Sequence, residues 1–291
     1  MGKERESKMD AKERKKLHRQ QMKEEGKYNT HKSAGKRPGN RKKKESKKGS
    51  ILSTVALILA ICVFCVSAFQ LFKIFSSYKK GDDEYKKVQN LAVKAEEQDG
   101  ETLFSVDFDK LKEINPDTVA WIRFEEPSII SYPVVHSHDN KEYLTKLFGE
   151  GKNTYGTLFV DKDNTGDFTD RNTFIYGHRM KSGSMFGKLE EYKDESFVQE
   201  HPYFYIYTPD GKELKYEVFA AGVVTDTSQT YTKEFADDEA FLKYISHIRA
   251  ESNYQTDVSV KADSQIVSLS TCTADSNEDR FVVHGVKVAE R

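Results

Sequence analysis

Cys272 stands at the end of the run Ile266-Val267-Ser268-Leu269-Ser270-Thr271-Cys272, and Arg280 opens the next apolar run, Phe281-Val282-Val283-His284-Gly285-Val286. A thiol does nucleophilic chemistry when a base or cation lies close and a donor waits for the developing oxyanion. Two strands paired antiparallel through the intervening 273–279 loop would set Cys272 and Arg280 side by side at one end of a sheet. A guanidinium there stays charged and can donate to an oxyanion or a substrate carbonyl. Most free cysteines are simply buried hydrophobes. The strand end, followed by a polar loop carrying Asp275, Glu278 and Asp279, argues for chemistry instead. A surface ion pair with one of those acids is the plainer role for Arg280.

A thiol nucleophile calls for a histidine, and six follow residue 72: His136, His138, His178, His201, His247 and His284. His178 comes just after the strand-like Asn172-Thr173-Phe174-Ile175-Tyr176 and before a Gly/Ser loop, where a rigid sheet presents side chains to substrate. His284 lies mid-strand, where alternation decides which way it faces. Residue pattern alone leaves these two in competition.

The elements that must position these groups are short strands separated by turns. Alternating or apolar runs predict strands over 119–124, 132–135, 157–160, 173–176, 203–208, 212–224, 265–270 and 280–288, with Pro209-Asp210-Gly211 as a hairpin turn. Eight such strands imply a mainly β domain with flanking helices, closed or nearly closed into a barrel. Helical spacing interrupts them over 184–199 and, more strongly, over 237–252, where Ala240, Phe241, Tyr244, Ile245 and Ile248 form a stripe. A short helix over 107–113 precedes the turn Asn115-Pro116-Asp117, and scattered apolar residues over 73–98 predict a stalk helix.

Charge divides the chain further. Residues 1–49 carry 19 Lys/Arg against 7 Asp/Glu, although the whole chain has a net charge of only −1. Such a Lys-rich, nearly apolar-free segment is expected to be disordered. Residues 51–72 then contain no charge, a length that crosses a hydrocarbon core of roughly 30 Å as a helix. The apolar stretch is too long for a cleavable signal. The basic excess before it keeps the N-terminus cytoplasmic and places the remainder outside. Beside a span, the cluster Arg41-Lys42-Lys43-Lys44 is an orientation signal rather than a nucleic-acid site. Cys62 and Cys65 fall within the apolar stretch, which leaves Cys272 as the single exported thiol, without a disulfide partner. Asp161, Asp163 and Asp167 partly imitate a calcium loop but lack its terminal glutamate, so that segment is predicted to be a solvated turn without metal.

Ser270-Thr271-Cys272 at a strand end with Arg280 beyond it, together with Tyr176-Gly177-His178 and the downstream Gly183-Ser184-Met185-Phe186, resembles the class B sortases. These are Gram-positive enzymes that join proteins to the cell wall, and the resemblance covers about residues 75–291. It implies a sortase-type eight-stranded barrel and a catalytic trio of Cys272, His178 and Arg280. It implies that Tyr176 and Ser270 line the substrate groove and that Asn140 and Leu144 contact a sorting peptide. The family's auxiliary carboxylate would be Asp275 or Asp279. Arg179 departs from the small polar residue that usually follows the histidine.

The expected organisation is therefore a basic tail over 1–49, a transmembrane anchor over 50–72, a stalk with N-terminal helices over 73–115 and a catalytic barrel over 116–291. The implied activity is transpeptidation. A C-terminal sorting signal is cleaved after Thr, and the protein passes to a peptidoglycan precursor amine without any cofactor. A secreted cysteine protease, whose acyl-enzyme goes to water, shares the same nucleophile. A non-catalytic, membrane-tethered binding module shares the same fold.

Overall fold

The computed structural model describes residues 47–98, 101–127, 130–273 and 278–291. Most of the basic tail, up to residue 46, and Asp275 lie outside them. The chain divides into two units, Met1–Cys65 and Val66–Arg291.

Helix α1, Lys47–Ala92, contains the uncharged stretch, and its apolar window has a mean hydropathy of 2.7 with none of it buried. By length and composition this helix is able to cross a membrane. Within the second unit the end of α1 is held by packing, with Tyr85, Val88 and Ala92 buried in the main core. The Tyr85 hydroxyl donates to Gly156 O at 2.5 Å, and the Tyr155 hydroxyl donates to Asp82 at 2.6 Å. The helix expected over 73–98 stops earlier than its composition suggests. Residues 93–98 instead form β1, Val93–Gln98, paired antiparallel with β2, Glu101–Val106. Helix α2, Phe108–Ile114, follows, capped by the Asp107 side chain, which accepts from Lys110 N at 3.2 Å.

Eight strands close into a barrel: β3 (Thr118–Phe124), β4 (Ser131–His136), β5 (Leu158–Val160), β6 (Asn172–Tyr176), β7 (Tyr203–Tyr207), β8 (Glu213–Thr225), β9 (Ile266–Cys272) and β10 (Asp279–Glu290). Their order around the barrel is β10-β8-β7-β3-β4-β5-β6-β9. Closure leaves no free sheet edge. Six of the eight neighbouring pairs are antiparallel, whereas β4–β5 and β6–β9 are parallel. The β7–β8 hairpin turns at Gly211, whose φ of +85° suits a residue without Cβ. Trp121, Phe124, Phe204 and Tyr216 are among the large side chains that fill the core.

The segment after Met185 is a 3-10 turn, Gly187–Lys193, followed by α3, Glu195–Glu200. Helix α4, Asp238–Ala250, starts at an Asp237 cap that accepts from Ala240 N at 2.8 Å, and it buries Phe241, Tyr244, Ile245 and Ile248. That i, i+3, i+4, i+7 face covers the outside of the barrel against Phe219, Ile266 and Val286. Alternation along β9 then sorts its side chains. Val267 and Leu269 belong to the barrel core, whereas Ile266 packs with the α4 cluster. Ser268, Ser270 and Cys272 therefore share the outer face with Ile266.

Candidate active site

The surroundings of Cys272 follow from two registers. Across the antiparallel β9–β10 ladder, Cys272 is directly opposite Arg280, so the two share a face at the sheet's end. Across the parallel β6–β9 ladder, Tyr176 is opposite Ser270, and Gly177 N extends the pairing by donating to Ser270 O at 3.1 Å. His178 and Cys272 each lie two residues beyond that Tyr176–Ser270 pair. All three chemical candidates line one groove of about 370 Å³, together with Tyr176, Ser270, Asn140 and Leu144.

His178 is oriented by backbone. Its Nε2 lies 2.6 Å from Leu144 O. A carbonyl only accepts, so Nε2 carries a proton and Nδ1 is the nitrogen whose proton can be exchanged. The His178 carbonyl accepts from Phe186 N at 3.0 Å, which closes the Gly/Ser loop back on the strand end. Arg179 is ion-paired to Glu190 at 2.7 Å.

Arg280 is half-buried and held from two sides. Its Nη1 donates to Asp279 O at 3.0 Å, and its Nη2 lies 3.5 Å from the Asp226 carboxylate. Asp226, one residue past β8, was not selected from the sequence; nothing in its local pattern announces it. Asp279 opens β10 and pairs in register with Thr225. Tyr231, in the 3-10 turn Gln229–Tyr231, was also missed. Its hydroxyl shares a 2.8 Å hydrogen bond with Ser270 Oγ, and its ring lies in a row with Phe174 and Tyr176. Burial pushes the Tyr231 phenol up to about 12, so it stays protonated.

His284 is the other histidine that pattern left open. It pairs in register with Ser268 on the α4-covered face and is 3% exposed. Ser268 Oγ donates to Asn172 Oδ1 at 2.7 Å and therefore accepts from His284 Nδ1 at 2.8 Å. Asn172 Nδ2 in turn donates to the Tyr244 hydroxyl at 2.8 Å. Burial lowers the His284 pKa to about 3, which keeps the ring neutral and structural.

One expectation is corrected in part. The Asp161–Asp167 segment is a turn with Asp163 and Asp167 exposed, but Asp161 is only 2% exposed and accepts from side chains on three other segments. Sequence reading missed this because its partners, Asn140, Tyr176 and Lys233, are remote in the chain.

A family model described as the sortase domain matches residues 125–288, and Sortase B of Listeria monocytogenes is 35% identical over 182 residues, covering 62% of this chain and 73% of that protein. The chain belongs to the class B sortases. The barrel agrees: sortase B from Bacillus anthracis, solved in complex with AAEK1, superposes with a TM-score of 0.64 at 34% identity, covering 74% of this chain and 99% of that one. A Staphylococcus aureus sortase B–substrate complex is similar at a TM-score of 0.58 and 30% identity, covering 62% of this chain and 84% of that one. The matched region of this sortase contains Cys272, His178 and Arg280, together with the groove residues Asn140, Leu144, Tyr176 and Ser270.

Proposed function

We propose that this sortase cleaves a C-terminal sorting signal after Thr through a thioacyl-enzyme on Cys272 and transfers the exported protein to an amine of a peptidoglycan precursor. The observation that carries this reading is the direct opposition of Cys272 and Arg280 in one groove with His178. The Cys272 thiolate attacks the Thr carbonyl carbon, and the resulting oxyanion is stabilised by Arg280. The C–N bond breaks as protonated His178 gives its proton to the departing amine, leaving a thioester. An incoming amine attacks that thioester and surrenders a proton to His178. The C–S bond then breaks and the thiolate returns. Asn140, Leu144, Tyr176 and Ser270 line the path along which an extended peptide lies.

The same reading assigns residues 1–49 to a cytoplasmic tail, 50–72 to a single-pass anchor, 73–115 to a stalk and 116–291 to an extracellular catalytic domain. The charge asymmetry on either side of the apolar helix supports this orientation.

Full-length protein in detergent, incubated with Pro-x-Thr pentapeptides and triglycine, should yield a peptide–triglycine adduct and turn over faster than without the amine. Hydrolysis at an unchanged rate with no adduct would instead make the enzyme a protease. Persistence of cleavage in Cys272→Ala would remove the thiol from the reaction.

A further inference from the structure

Asp161 sits just past β5 with a carboxylate that is 2% exposed and fully engaged. Its Oδ2 accepts from the Tyr176 hydroxyl at 2.8 Å and from Asn140 Nδ2 at 3.1 Å. Its Oδ1 accepts from Lys233 Nζ at 2.8 Å and from Asp163 N at 2.9 Å. An ionised carboxylate offers about four acceptor positions, and all are used here. Two of the donors, Asn140 and Tyr176, line the groove, and the third side chain, Lys233, comes from the connection between β8 and α4 that also supplies Tyr231.

The Asn140 amide is thus fixed at both ends, because its Oδ1 accepts from Lys162 N at 2.8 Å while its Nδ2 donates to Asp161. Its backbone adopts φ 55°, a left-handed conformation that asparagine tolerates, and Asn140 N donates to Ser137 Oγ at 3.0 Å. One amide hydrogen and one lone pair remain for a ligand. Lys233 also reaches Asp163 at 2.8 Å; burial opposes its charge, but the bonds to Asp161 and Asp163 outweigh that and keep its pKa raised.

We propose that Asp161 is a positioning residue that sets the Asn140 amide and the Tyr176 hydroxyl for peptide binding, with Lys233 tying the β8–α4 connection to the same carboxylate. This role rests on the transpeptidase reading, since it presumes a peptide in the groove. It acts on binding and does not touch the reacting atoms.

Replacing one carboxylate oxygen with an amide sets a donor against two donors and breaks half of the cluster. In full-length protein in detergent, assayed with a Pro-x-Thr pentapeptide and triglycine, Asp161→Asn and Asp161→Ala should raise KM roughly tenfold or more while kcat stays within about threefold. Cys272 alkylation by iodoacetamide, read by mass spectrometry of its peptide, should proceed at the wild-type rate. Combining Asp161→Ala with Asn140→Ala should cost little more than the greater single effect, because one residue acts through the other. Lys233→Met should move KM in the same direction by less. A fall in kcat at unchanged KM, or fully additive losses in the double variant, would overturn the proposal. If wild type forms no adduct, it is the transpeptidase reading that fails. Hydrogen exchange of the Asn140 side-chain amide, followed by NMR, still decides the positioning role. Fast exchange in Asp161→Ala against protection in wild type supports it, and equal protection overturns it.

Discussion

Arg280 and Cys272 occupy directly opposed positions on the last pair of the β9–β10 ladder, so the spacing between cation and thiol is set by the sheet and not by a loop. Asp226, at 3.5 Å, steadies the guanidinium from the far side.

Arg280→Ala should lower kcat/KM by about 10²–10³, the cost of removing an oxyanion donor. Arg280→Lys should recover little of that, because an ammonium does not reproduce the planar fork. Asp226→Ala should lose far less. Equal losses in Arg280→Ala and Asp226→Ala, measured under the same conditions, would reduce the arginine to half of an ion pair.

His178→Ala should reduce peptide turnover by about 10²–10⁴, the usual share of general acid–base catalysis. The loss should shrink for acylation by a p-nitrophenyl ester, whose leaving group needs no proton. A defect of the same size on both substrates would mean that His178 serves the thiol or the fold, not the departing amine.

Gly177 separates Tyr176 from His178 in a space that admits no side chain. A Cβ there would lie 2.3 Å from Leu158 Cδ2 and 2.7 Å from Phe186 Cδ2. Gly177→Ala should destabilise the domain by about 1–3 kcal/mol, the range for overpacking. Thermal unfolding measures this, and an unshifted midpoint would show that Leu158 and Phe186 yield freely.

His284 links stability to acid. Its native pKa, about 3, lies below the ordinary value of 6.5 because burial disfavours the charged ring. The unfolded chain therefore binds the proton first. Stability is full above pH 6.5 and falls as pH drops toward 3, by at most ~1.4 kcal/mol per unit. Denaturant midpoints between pH 7 and 4.5 should fall less steeply in His284→Asn than in wild type, and parallel slopes would assign the acid sensitivity elsewhere.

All eight barrel strands were legible because each is a local pattern, an apolar run or a period-two alternation set off by turn residues. The antiparallel pairing that joins Cys272 to Arg280 was legible for the same reason, through its short loop. The hairpin β1–β2 was not. Its first strand, Val-Lys-Ala-Glu-Glu-Gln, carries residues that favour helix and pairs only with its neighbour. Asp161 and Asp226 were misjudged or missed because their partners come from remote segments. Residue pattern alone left His284 level with His178, and the family resemblance chose His178; the burial of His284 beneath α4 on the outer face of β9 and β10 was not legible.

The parallel pairing of β6 with β9 has a consequence for the enzyme's life before it is finished. His178 leaves one strand and Cys272 the other, and β7, β8 and α4 all lie between them in the chain. No local hairpin can bring the pair together. Parallel contacts between distant segments form slowly, after intervening loops have been closed. A chain still being synthesised or threaded elsewhere thus holds a thiol and an imidazole that have not met.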